Sequence, residues 1–201
     1  MPQQARTRLA RRAVVDAART LFLEQGYATT TVDAVSRLAD VPPATVYRLF
    51  GSKLGILKAM LDTSIAGDDE PVAVAARPDV APLFDEADPV ALLTGVAGVT
   101  TAINQRTNDV HRVLVSAAGS DPGAAELLAE IRDQRDRGQR QIVRALARRK
   151  ELQPGLSARE AEDRVHALMS PEVYRLFVGD RGWSPDQYRE WLGTTLAQQL
   201  L

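Results

Sequence analysis

The segment Val32–Gly51, V-D-A-V-S-R-L-A-D-V-P-P-A-T-V-Y-R-L-F-G, constrains the fold more than any other part of the chain. It contains two helical stretches, about Val32–Ala39 and Pro43–Leu49, joined by Asp40-Val41-Pro42. Helices this short are marginal in water, so each must bury an apolar face against a neighbour. A turn this tight makes the two helices cross steeply. Val35, Ala39, Val41, Val46 and Leu49 supply apolar contacts at the offsets such a crossing needs, and Ser36 is small where the helices approach. Asp40 falls where the turn needs a left-handed residue, a conformation that Gly takes freely and Asp tolerates. Pro43 suits a first helical position. The pattern is a helix-turn-helix, and a second helix of ~10 Å matches a major groove ~12 Å wide.

Helical signals continue on both sides. Apolar residues at 9, 13, 14, 17, 18, 21 and 22 predict a helix that stops at Gly26. Thr29-Thr30-Thr31 offers N-cap hydroxyls, with Asp33 three residues beyond Thr30 in a capping-box pattern. Gly51 breaks the second short helix, and Ser52 caps a longer one over Lys53–Ala66. Residues 67–89, with four prolines and seven acidic residues, read as a linker. Further helices are predicted over about 90–105, 108–118, 122–150, 157–169, 171–180 and 185–200. Several starts are punctuated: Asp121-Pro122, Ser157 with Glu160, Ser170-Pro171, and Ser184-Pro185 with Gln187. Gly182-Trp183 fits a helix end with a hydrophobic contact after it. No run alternates with the two-residue period of a strand. The fold class is all-α.

Charge separates two regions. Residues 1–60 hold nine Lys/Arg and four Asp/Glu, whereas residues 61–201 hold 16 and 22, for a total of −1. A basic first third on an acidic body is the electrostatic footprint of a nucleic-acid-binding head. Cysteine is absent, which removes disulfides, thiolate nucleophiles and Cys-based metal sites. No nucleophile elbow, dinucleotide fingerprint, phosphate-binding loop or histidine cluster is present, so no catalytic residue and no cofactor is assigned. The rival classes are a helical enzyme and a DNA-independent interaction module; the second leaves the basic head unexplained. The stretch after Arg12 is broken by Asp16, Arg19 and Glu24, which a signal peptide does not allow. The uncharged run Pro89–Gln105 is too short and too polar for a membrane span. A cytoplasmic location follows as the default expectation.

Ala17-Ala18, Leu21-Phe22, Gly26-Tyr27, Thr29-Thr30-Thr31, and above all Ala44-Thr45-Val46-Tyr47-Arg48-Leu49-Phe50-Gly51-Ser52-Lys53 with Leu57 carry a specific resemblance. On these residues, about 9–60, the chain resembles a TetR-family transcriptional regulator. The resemblance implies a three-helix DNA-binding domain over 8–66 and a helical effector-binding and dimerisation domain over 67–201. It also implies a homodimer acting on a roughly palindromic duplex operator, as a repressor released by a small molecule. On matching positions, Ala44 and Thr45 open the recognition helix toward bases, where a methyl group can meet thymine. Tyr47 resembles the family's phosphate-contacting tyrosine, and Lys53 its phosphate-binding lysine. Arg48 can reach a phosphate or a guanine edge, and Thr30 or Thr31 can cap the second helix beside a phosphate. Two departures stand out: Pro42 replaces a small polar cap, and Leu49 stands where an aromatic residue or His is common.

The body carries no motif. Thr100, Ile103 and His111 are the candidate effector contacts, from hydroxyls on an apolar helix and a histidine in an apolar setting. His166 with Asp163 or Glu162 has metal-like spacing, but a lone pair makes no metal site. The basic run Arg132–Lys150 reads as a solvated face with the i,i+4 pairs Asp133–Arg137 and Asp136–Arg140. Leu168, Trp191, Leu192 and Leu196, on the last helices, are the apolar positions expected at a dimer surface.

Overall fold

The computed structural model describes residues 2–67, 74, 77–78 and 80–201. Among them there is no strand; the helices are α1 (Pro2–Gln25), α2 (Val32–Ala39), α3 (Pro43–Phe50), α4 (Lys53–Ala66), α5 (Pro89–Ala118), α6 (Pro122–Arg149), α7 (Ala158–Leu168), α8 (Pro171–Tyr174) and α9 (Pro185–Leu200). The all-α class holds. No helix of the described residues is long and apolar enough to cross a membrane. Of the linker predicted over 67–89, residues 68–73, 75–76 and 79 lie outside the described residues, and Ala81–Asp85 forms a 3-10 turn.

The chain divides into two compact units: residues 1–64 with 109–130, and residues 65–108 with 131–201. The first is the head. Val14, Ala18 and Phe22 of α1, Val35 of α2, Val46 of α3, and Ile56, Leu57 and Met60 of α4 are buried there. Val110 and Leu114 from the end of α5 and Ala124 from the start of α6 are buried in the same unit. α1 packs on α2 and α3, and α2 packs on α3.

The second unit is the body. Leu92, Leu93 and Ala97 of α5, Val143 and Leu146 of α6, Val165 of α7, and Leu192 and Leu196 of α9 form its core. α7 and α9 begin with full capping boxes, Ser157 with Glu160 and Ser184 with Gln187, as their sequences predict. α8 continues into a π-helical stretch, Arg175–Asp180. Gly182, at φ 72°, then reverses the chain, and the Trp183 N–H donates to the Phe177 carbonyl at 3.0 Å. The Trp183 and Trp191 rings lie 4.6 and 4.4 Å from that of Phe177, and Tyr174 meets Tyr188 edge-on at 5.0 Å.

Four expectations are corrected. α1 starts at Pro2, well before the apolar stripe predicted from residue 9, and Leu9 is 69 % exposed rather than part of that stripe. The N-cap of α2 is Thr31, whose Oγ1 accepts from the Ala34 N–H at 3.1 Å. Asp33 therefore sits one position too early to complete a capping box. α5 is continuous from 89 to 118 across the predicted gap at 106–107, with the polar Asn104 and Thr107 buried on its inner face. Finally, Leu192 and Leu196 are fully buried within the subunit, leaving only Leu168 and Trp191 partly exposed among the residues expected at a dimer surface.

Candidate nucleic-acid interface

The turn between α2 and α3 forms as its sequence dictates. Asp40 is left-handed (φ 52°, ψ 42°), and its N–H donates to the carbonyls of Arg37 and Ser36. Buried Ser36 donates from Oγ to the Val41 carbonyl at 2.6 Å, fixing the point where the helices approach. Pro42 is the N-cap of α3 and makes no side-chain cap bond.

α3 turns Val46 into the core, which leaves the opposite side free. Ala44, Tyr47 and Arg48 are exposed, and Thr45 and Leu49 are partly buried beside them. Ala44, Tyr47 and Arg48 stand at i, i+3 and i+4, on one face of the helix. That face presents a methyl group, a phenol and a guanidinium together, a set suited to groove edges and phosphates. Phe50 packs inward under the Arg11 guanidinium, 4.8 Å from its ring centroid. At Gly51, φ 75° ends α3, and its N–H donates to the Tyr47 carbonyl at 2.8 Å. Gly55 is fixed by space: a Cβ there would run into the backbone carbonyl of Phe50.

Thr30 and Lys53 turn inward. Thr30 is 1 % exposed, and its hydroxyl reaches the carbonyls of Gly26 at 2.8 Å and Leu21 at 3.3 Å. The Lys53 ammonium donates to the carbonyls of Tyr27 (2.7 Å), Thr30 (3.0 Å) and Ala28 (3.4 Å). It also stands 4.2 Å from the centroid of the Tyr27 ring. An ammonium has three donors, and here three carbonyls face it. Burial lowers the Lys53 pKa, with the charge of Asp121 acting in the opposite sense. Tyr27 completes the cluster: its hydroxyl donates to Asp121 Oδ2 at 3.3 Å, and its pKa is raised to about 12 by burial and then by Asp121. Asp121 also accepts from the Gly123 and Ala124 N–H groups at the start of α6. Lys58 of α4 pairs with Glu130 of α6 at 2.8 Å.

Residue typing reached Tyr27 only as part of a matching stretch and missed Asp121 and Arg11. Their partners lie 94 and 38 residues away, so no local pattern could reveal them. Of the three effector candidates, buried Thr100 and partly buried Ile103 lie in the body, whereas buried His111 belongs to the first unit. His166 meets Arg135 at 3.0 Å, and no group of metal-ligating side chains occurs among the described residues.

Residues 14–60 match the family described as bacterial regulatory proteins, tetR family. That segment of the head is TetR-like. A 57-residue segment is 44 % identical to the HTH-type transcriptional regulator HbdR of Aromatoleum sp. (strain CIB), covering 26 % of this chain and 25 % of that one. The chain thus spans about a quarter of the length of that curated relative. Similarity in shape runs further. NalD, the secondary repressor of the MexAB-OprM multidrug efflux pump in Pseudomonas aeruginosa, matches with a TM-score of 0.72 at 22 % identity, covering 96 % of each chain. The fatty acid degradation regulator FadR from Bacillus halodurans gives 0.69 at 14 %, covering 93 % of this chain and 94 % of that one. A regulator from Saccharomonospora viridis, solved with choline, gives 0.68 at 20 %, covering 95 % and 97 %. These structures share the fold of this chain along nearly its whole length.

Proposed function

We propose that this chain is a DNA-binding transcriptional regulator, a repressor that leaves a roughly palindromic operator when a small molecule binds its body. The observation that carries the reading is the exposed Ala44–Tyr47–Arg48 face of α3 on a helix-turn-helix matched to the tetR family. Ala44, Thr45 and Arg48 are the base readers, and Tyr47 with Thr31 at the α2 N-terminus holds phosphates. Thr30 and Lys53 act behind them, setting the loop that carries Thr31. Two heads of a homodimer then address half-sites about 34–36 Å apart, or a multiple of one turn.

The effector side rests on the body's interior. Thr100, Thr101, Asn104 and Thr107 make one inner face of α5 polar but uncharged, and all four are buried. Buried Gln139 on α6 leaves its Oε1 without a protein partner among the described residues. An uncharged, hydrogen-bonding small molecule suits these groups. Among the proteins similar in shape, an efflux-pump repressor, a fatty acid degradation regulator and a regulator solved with choline support regulation by small molecules as a class and do not choose among them.

The test is duplex affinity against salt concentration. A regulator of this kind loses affinity steeply as salt rises, because bound arginine and lysine displace counterions. No duplex binding at low salt would return the chain to the interaction-module class. Arg48→Ala or Thr45→Ala should change base preference, at about 1–3 kcal/mol for a lost bidentate contact, whereas Tyr47→Phe should weaken all duplexes alike.

A further inference from the structure

α1 begins at Pro2, twelve residues before the matched family segment, and this extension has its own chemistry. Residues 1–15 contain Arg6, Arg8, Arg11 and Arg12 and no acidic residue. Burial does not hold the extension in place. Gln4, Ala5, Arg6, Arg8 and Leu9 are exposed, and Thr7 is only partly covered. Its anchor is Arg11, which donates to the Leu49 carbonyl at 3.0 Å and covers the Phe50 ring. Both partners lie in the last turn of α3. The extension is thereby fixed beside the recognition helix. Arg8 stands one turn before Arg11 on the same side of α1, about 4.5 Å further along the axis, and Arg6 about 7.5 Å further and about 140° round the helix from Arg11, so that the two flank the segment. Arg12 is partly occupied, 3.8 Å from Asp16. Neither Arg6 nor Arg8 has a carboxylate within ion-pair distance among the described residues.

We propose that the extension is a second DNA-contacting element, with Arg6 and Arg8 binding backbone phosphates flanking the half-site read by α3. Arg6 and Arg8, exposed and without a carboxylate partner on a segment of α1 that buries no apolar stripe, match a polyanion and do not match an apolar partner. Guanidinium forks also suit phosphate oxygens geometrically. Arg11 is the positioning residue of this element. The inference rests on the regulator reading above and extends the interface beyond the helix-turn-helix.

The experiment compares the full-length chain with the double variant Arg6→Ala/Arg8→Ala on a mixed-sequence duplex, over salt from 50 to 200 mM. Each phosphate contact contributes about 0.9 to the slope of log affinity against log salt, so two lost contacts reduce the slope by roughly 1.8. The wild type should then lose about tenfold more affinity across that range than the variant does. A companion variant, Arg6→Lys/Arg8→Lys, should keep most of the slope. Equal slopes for wild type and alanine variant, with unchanged thermal unfolding, overturn the proposal. Failure of the wild type itself to bind any duplex at low salt overturns the regulator reading instead.

Discussion

The head and the body each tie distant parts of the chain with directional bonds, and the body adds a cluster of packed aromatic rings. In the head, directional bonds tie distant parts of the chain: Lys53 to three carbonyls, Tyr27 to Asp121, Arg11 to Leu49, Arg19 to Ser64 and Lys58 to Glu130. The body has such bonds too, from Arg149 to the Phe84 carbonyl and from Arg164 to the Gln199 carbonyl, but its distinguishing feature is a run of ring contacts through Tyr174, Tyr188, Phe177 and Trp191. Directional bonds fix angles and tolerate few substitutions. Burial fixes volume and tolerates many, provided the space stays filled. A surface that must present α3 in one orientation needs the first. An interior that adapts to a ligand is better served by the second.

The contrast breaks most visibly in the body. Tyr188 is fully buried, and burial raises its pKa, with Tyr174 acting in the same sense. Tyr188→Ala should cost about 3–5 kcal/mol in urea unfolding, in the range for large aromatic truncations. A loss below about 1 kcal/mol would show that the ring cluster is not what holds the body. In the head, Lys53→Met should cost about 1.5–3 kcal/mol, because three carbonyls lose a charged donor. The salt slope of duplex binding separates the two roles for this lysine. An unchanged slope supports the inward clasp, and a fall of about 0.9 assigns it to a phosphate.

Gly55→Ala should destabilise the head by about 1–3 kcal/mol, as overpacking does, with the Phe50 carbonyl as the obstacle. A variant as stable as wild type would mean that the α3–α4 turn shifts freely. The smallest effect concerns Tyr27. Its phenol ionises near pH 10 in the unfolded chain and at about 12 in the fold. The unfolded state therefore holds fewer protons between those values, and stability falls as pH rises through them. Tyr27→Phe should flatten part of that alkaline decline and cost about 0.5–1.5 kcal/mol at neutral pH. An unaltered pH profile would remove Tyr27 as its source.

The helix-turn-helix was legible because its determinants are local. Asp40 takes the left-handed turn, Pro43 opens α3, Ser52 caps α4 through the Gly55 N–H, and the capping boxes of α7 and α9 sit on their own four residues. The α1 extension was not legible, because periodicity detects a buried stripe and the extension has none. The break predicted in α5 is absent: polar Asn104 and Thr107 face inward there, which their residue types do not announce. Lys53 shows the limit most clearly. Its residue type fits a phosphate or a carbonyl equally well, and the carbonyls that it meets lie 23 to 26 residues earlier.

The first unit is discontinuous in sequence, and this governs the order in which it can be built. Residues 2–64 contain all of α1–α3, yet Tyr27 waits for Asp121, 94 residues later, and Lys58 for Glu130, 72 residues later. At ribosomal speeds of about 5–20 residues per second, the N-terminal helices are exposed for several seconds before those partners exist. During synthesis the head is thus an incomplete unit with an uncovered α4 face, a substrate for chaperones or for the nearest nascent copy. Completion comes only when residue 130 has emerged, so a segment at the middle of the gene decides when its beginning becomes competent.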